Sequence, residues 1–174
     1  MTGCSTYAIP RYSISADNLS ELRKIKSAPV ALGSFKTVGP DVADSIICRA
    51  VGPVKTPDGE TFAEYIKKAL ASELTLAEKY DANSPVVITG SLTALNFRSD
   101  VGEWTMALSL ESSNGQTMSV AEKYNYGFNW SAIVACDQTA QAALAAVQNL
   151  IHTAVSDVAF RALMRPSSPA VFGK

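Results

Sequence analysis

Apolar residues recur along this chain in two rhythms, one of period two and one of three to four, and their order predicts an α+β fold. Residues 29–37 and 45–51 are short β-rich runs closed by Gly39-Pro40 and Gly52-Pro53, and they read as the first two strands. Residues 53–60, with two prolines and a glycine, read as a loop. Over 61–80, Phe62, Ile66, Ala69, Leu70, Leu74 and Ala77 recur at helical steps, which predicts a helix with one core-facing stripe. Glu64 and Lys68 lie one turn apart on its outer side.

Three strands follow. In 85–97, Val86, Ile88 and Leu92 alternate with Thr89, Ser91 and Thr93, but Leu95 and Phe97 fall on the opposite parity, which predicts a bulge or sharp twist near Gly90. Residues 103–111 put Trp104, Met106, Leu108 and Leu110 on one face, and 116–128 do the same for Met118, Val120, Tyr124, Tyr126 and Phe128. A two-residue turn at Asn114-Gly115 would set Leu110 against Ser119. A three-residue loop with Gly115 left-handed sets Leu110 against Met118, Leu108 against Val120 and Trp104 against Tyr124. The second register keeps the faces consistent and is the one predicted, at the cost of placing Glu122 opposite Met106. A last helix is expected over 137–164, with Asp137 as N-cap and a break near Ser156-Asp157.

The expected order is therefore β-β-α-β-β-β-α, a mainly antiparallel five-stranded sheet with two helices on one face. The other face, rich in Thr and Ser, is polar enough to be solvated. Residues 1–27 lack sustained periodicity and read as an N-terminal tether, 28–164 as a single α+β domain, and 165–174 as a mobile tail.

At 174 residues and 47% hydrophobic, the chain is long and apolar enough for one ordinary core. Fifteen basic residues meet 16 acidic ones, dispersed along the chain, so nucleic acid is not an expected partner. No run approaches the ~20 apolar residues of a membrane span. The single histidine, His152, cannot by itself build a His-rich metal site, and no nucleophile elbow or phosphate-cradling glycine loop occurs. No catalytic residue, metal or cofactor is expected. A hydrolytic site assembled only in three dimensions, with a serine beside His152, stands as the enzymatic alternative.

Met1-Thr2-Gly3-Cys4-Ser5 looks like the end of a bacterial lipobox, which makes Cys4 a candidate lipidation site; the alternative is an incidental cysteine near the start of a cytosolic protein. Setting Cys4 aside leaves Cys48 and Cys136, either one disulfide closing a loop of nearly ninety residues or two unrelated buried thiols. Two residues stand out for partner binding. Trp130 lies beyond Gly127, past the aromatic alternation, where an exposed indole could anchor a partner. Arg49 in the second strand is the other, with an edge charge that discourages aggregation as its plainer reading. Tyr124 and Phe128 are assigned to the core face.

The N-terminal Thr-Gly-Cys, the helix opening Thr61-Phe-Ala-Glu-Tyr-Ile-Lys-Lys-Ala-Leu70, the strand Pro85-Val-Val-Ile-Thr-Gly-Ser-Leu92, the Asn114-Gly115 hairpin and the helix beginning Asp137-Gln-Thr-Ala-Gln together resemble the YajG-type bacterial lipoproteins, over residues 28–164. The resemblance implies a periplasmic protein held to the outer membrane by lipid on Cys4, without established enzymatic activity. It would act as an interaction module for an envelope protein or lipid. Ser5 after the cysteine agrees with outer-membrane sorting as known in enteric bacteria. The Cys48 and Cys136 pair is not part of that family's general pattern. Auxiliary lipoproteins of lipid-transport ABC systems have a similar layout and would imply a lipid or a transporter subunit as partner.

Overall fold

The computed structural model describes residues 6–39 and 45–167; Cys4 and the end of the expected tail lie outside them. The elements are β1 (Tyr7–Ala8), α1 (Ala16–Lys24), β2 (Ala31–Thr37), β3 (Ile46–Cys48), β4 (Gly52–Lys55), α2 (Phe62–Leu76), β5 (Val87–Arg98), β6 (Glu103–Ser112), β7 (Thr117–Asn125), α3 (Ala132–Ser156) and α4 (Val158–Leu163). The class is α+β, but the single five-stranded antiparallel sheet with two helices is not what forms. Among the described residues there are a four-stranded sheet, β2-β5-β6-β7, a three-stranded one, β1-β4-β3, and four helices.

Both sheets are mixed. β2 pairs parallel with β5, and β1 parallel with β4. A parallel pair needs a crossover, and the chain from β2 to β5 passes through α2, whose apolar stripe packs against both strands. All six predicted stripe residues, five in α2 and its C-cap Ala77, are buried, and Thr61 caps the helix by accepting from the Glu64 amide. Lys68 pairs with Glu60 at 3.0 Å rather than with Glu64. β4 occupies the stretch read as loop: Pro53 and Gly52 hide its alternation, and its partners are β3 across a tight hairpin and β1, distant in sequence.

The expected tether over 1–27 is also corrected. β1 and α1 are docked, with Tyr7, Ile9, Leu22 and Ile25 buried. The segment looks unstructured because several of its polar residues serve a buried carboxylate rather than water. Glu73 of α2 is fully buried; its Oε1 accepts from the Tyr12 hydroxyl at 2.6 Å, the Ser15 amide at 2.8 Å and the Asn18 amide group at 3.3 Å. Asn18 also donates to the Gln148 carbonyl at 3.1 Å and faces His152 Nδ1 at 3.2 Å, tying α1 to α3. Burial, and then the Glu73 carboxylate, hold the Tyr12 hydroxyl well above its ordinary range, so it remains a donor.

In the larger sheet, the pairs Leu110–Met118, Leu108–Val120, Trp104–Tyr124 and Met106–Glu122 form as read, with Gly115 at φ +84°. Glu122 is half-buried, and its carboxylate accepts from the Thr153 hydroxyl at 3.4 Å. The β5 irregularity falls between Leu92 and Ala94, not at Gly90. Gly90 instead makes room for Phe35: a Cβ there would lie 2.5 Å from its ring.

The last helix breaks at Ser156, and Asp157 caps α4 through the Ala159 amide at 2.8 Å. Its N-cap is Ser131, not Asp137. The added first turn carries exposed Ile133 and Val134, which interrupt the amphipathic pattern there. Along its inner face Ala135, Ala140, Ala143, Ala146 and Ala154 are buried, and α3 lies against β6 and β7 of one sheet and β1 and β4 of the other.

Glu73→Ala removes the acceptor of one buried and two part-buried donors and should cost about 3 kcal/mol. Glu73→Gln keeps an oxygen at that position and should cost measurably less, both read from urea unfolding.

Candidate functional site at a disulfide-pinned apolar end

The β3–β4 connection is a tight turn in which the Val51 amide donates to the Cys48 carbonyl at 2.9 Å. The ladder closes at Cys48–Gly52, so the loop has three residues, and two of them, Arg49 (φ 45°) and Ala50 (φ 56°), are left-handed. Neither is glycine, so each carries roughly 1–2 kcal/mol of backbone strain. That backbone sends the Arg49 side chain across to two neighbouring loops. Its Nε donates to Ser99 Oγ at 3.0 Å, Nη2 to the Ser99 carbonyl at 2.7 Å and Nη1 to the Trp130 carbonyl at 3.3 Å. The β3–β4 turn, the β5–β6 turn and the β7–α3 loop are thereby tied at one end of the molecule. Arg49, read from sequence as a strand residue, sits in a turn and positions the Trp130 backbone.

Beneath this clamp the chain is rigid. Cys48 and Cys136 form a fully buried disulfide with Cα atoms 5.8 Å apart, joining β3 to the first turns of α3. Trp104 is fully buried and donates its indole N–H to the Thr139 carbonyl at 2.8 Å, with Phe97 edge-on at 5.0 Å. The Tyr126 hydroxyl donates to Thr139 Oγ1 at 2.6 Å, while that hydroxyl donates to the Ala135 carbonyl. Gly102, at φ +74°, lets β7 pass: its carbonyl accepts from the Tyr126 amide at 2.7 Å, and a Cβ would overlap the Tyr126 carbonyl.

Outward from this base point apolar side chains. Trp130 is 89% exposed, Ile133 64% and Phe128 49%; Ile47, 62% exposed, lies on the opposite face of β3 from the buried Cys48. The Phe128 and Trp130 rings meet edge-on with centroids 5.6 Å apart. Phe128 was expected on the core face; β7 ends at Asn125, and beyond it the strand alternation no longer applies. Tyr124 does pack against the core. Ile47 and Ile133 were not singled out from sequence, since each is an ordinary apolar residue until the fold turns it outward. Apolar groups gathered at one place on a surface mark contact sites.

His152 was the other candidate. Its Nε2 lies 3.4 Å from Ser156 Oγ and its Nδ1 faces Asn18, an order that resembles a nucleophile, base and orienting group. Ser156 and His152 are one helical turn apart, so helix geometry alone produces that contact. After Ser156, the Asp157 amide donates to the Ala154 carbonyl and the Ala159 amide to Asp157 Oδ1, so neither is free to meet an oxyanion. Among the described residues no group of His, Cys, Asp and Glu is arranged to hold a metal ion. Surface clefts of about 430 Å³ beside Asn114 and Arg165, and about 450 Å³ along α1, include no residue of the apolar end.

The double variant Cys48→Ala, Cys136→Ala should lose about 2–4 kcal/mol against the oxidised parent in denaturant, because the bridge closes the longest loop available. Ala50→Gly should act oppositely, raising stability by about 1 kcal/mol through relief of the left-handed alanine, with the denaturant slope unchanged.

No family model matches the chain, and no curated protein is significantly similar to it. Among solved structures, the crystal structure of a Xanthomonas campestris protein described by the DUF330 family model matches with a TM-score of 0.50 at 10% identity, covering 87% of this chain and 95% of that one. At that identity the likeness concerns the fold alone.

Proposed function

We propose that the chain is the body of an envelope lipoprotein, held to the outer membrane by lipid on Cys4 and facing the periplasm. It acts as a non-enzymatic interaction module whose contact surface is the apolar end. The observation that carries this reading is the exposed Phe128–Trp130 pair mounted on a base immobilised by the Arg49 clamp and the disulfide. Large, rigid aromatic side chains lose little conformational entropy on contact and dominate the energetics of surfaces that bind. The disulfide supports an oxidising compartment. The Thr-Gly-Cys-Ser start and the YajG-type resemblance support the anchor, and the DUF330 neighbour supports the architecture only.

The role of auxiliary lipoprotein in a lipid-transport ABC system is the second reading, and the same surface favours it. The core is filled by Trp104, Phe62 and Phe160, all fully buried, so a lipid or transporter subunit would be met at the exposed end.

Expressed behind a lipoprotein leader, the chain should incorporate labelled palmitate on Cys4 and fractionate with outer membranes. Cys4→Ser should lose the label and appear in the soluble periplasmic fraction; identical behaviour of the two proteins would refute the anchor.

A further inference from the structure

We infer that the surface met by the apolar end is the lipid interface of the membrane that holds the anchor, with Phe128, Trp130 and Ile133 seated on the bilayer. The inference rests on the Cys4 reading above, and strand register directs it. β1 runs parallel to β4, with Tyr7 opposite Val54 and Ala8 opposite Lys55. β3 runs antiparallel to β4, with Ile46 opposite Val54 and Cys48 opposite Gly52. Followed backward from Tyr7, β1 therefore heads for Gly52 and the Cys48–Val51 turn, which carries Arg49 and through it Trp130. Cys4 precedes Tyr7 by three residues, and three peptide units reach at most about 11 Å. Because β1 and α1 are docked, no long spacer separates the acylated residue from the body. The domain is thus held against the bilayer by the end that carries its exposed aromatics.

The chemistry of that end suits a lipid interface. An indole places an apolar body and a polar N–H at the headgroup boundary, where tryptophan is enriched. A lipid chain together with a second weak signal gives stable attachment, and the tether keeps the apolar side chains at high local concentration. Cations are few here: Arg98 is paired with Asp100 at 3.2 Å and Lys123 with Glu103 at 2.8 Å, which leaves Arg49, held by Ser99 and Trp130, as a single charge. Seating should therefore need neither anionic lipid nor low salt, unlike a polybasic patch.

The unlipidated protein allows a direct test, since of its three cysteines two are bridged and only Cys4 is free to couple. Cys4 is linked to maleimide-headgroup lipid in phosphatidylcholine vesicles containing acyl chains brominated at a shallow position. Trp104 is fully buried, so quenching reports on Trp130. Coupling should shift Trp130 emission to the blue and quench it, to the same extent with added phosphatidylglycerol and in high salt. Trp130→Ala should abolish the quenched component and leave Trp104 emission unchanged. The variant Cys4→Ser, Gln116→Cys couples from the far end of β6, about 30 Å away along the strand, and should show no quenching. Emission from Trp130 that stays solvent-like after coupling at Cys4, or equal quenching from both attachment points, overturns the proposal. So does a blue shift that grows with protein density without bromine quenching, which would mark contact with a second copy. Acylation in cells is measured separately by the palmitate label, so failure of the anchor and failure of the seating give different results.

Discussion

The close packing of α3 is the constraint on which the rest depends. Its inner face is lined largely by alanine, so the helix backbone can approach two sheets that share no strand. Without α3 the three-stranded sheet would have little to rest on, since β1 has two residues and β3 three. Short strands gain little from their own ladders and need a helix to bury their apolar face. The Cys48–Cys136 bridge adds a covalent hold at the point where the small sheet is thinnest, and the Trp104 bond to Thr139 holds the larger sheet to the same stretch of helix.

A second hold acts at the other side of α3. Glu73 gathers donors from Tyr12, Ser15 and Asn18, and Asn18 passes the contact on to Gln148 and His152. A buried carboxylate needs such donors; here all three reach Oε1, from a stretch of chain with little apolar content, while Oε2 has no partner among the described residues. The same network gives His152 a structural duty, which accounts for a lone histidine in a helix without invoking catalysis.

At the apolar end, strain and exposure occur together. Two left-handed non-glycine residues, a glycine that no side chain could replace, and a nearly fully exposed tryptophan lie on adjoining turns. Arg49 links them by hydrogen bonds to backbone carbonyls, so its donors are used inside the fold.

Period and parity in the sequence by themselves determined the α+β class, the stripe of α2, the register of β6 against β7 and the break at Ser156, because each depends on neighbours a few residues apart or on one shared face. Trp130 was legible as an exposed residue because it lies past a glycine and outside any alternation. Counting alone left Cys48 and Cys136 as a pair, but only the fold brings their Cα atoms to 5.8 Å. The tertiary structure also decided the split into two sheets, the parallel pairing of β1 with β4, and the docking of the N-terminal segment. Each of these joins residues far apart in sequence, where local pattern carries no information. Phe128, Ile47 and Ile133 were misjudged or overlooked for a related reason: an apolar residue reads as core until the fold shows which way its element faces. Polar Tyr12, Ser15 and Asn18 read as solvated until the fold supplies the buried Glu73 that they serve.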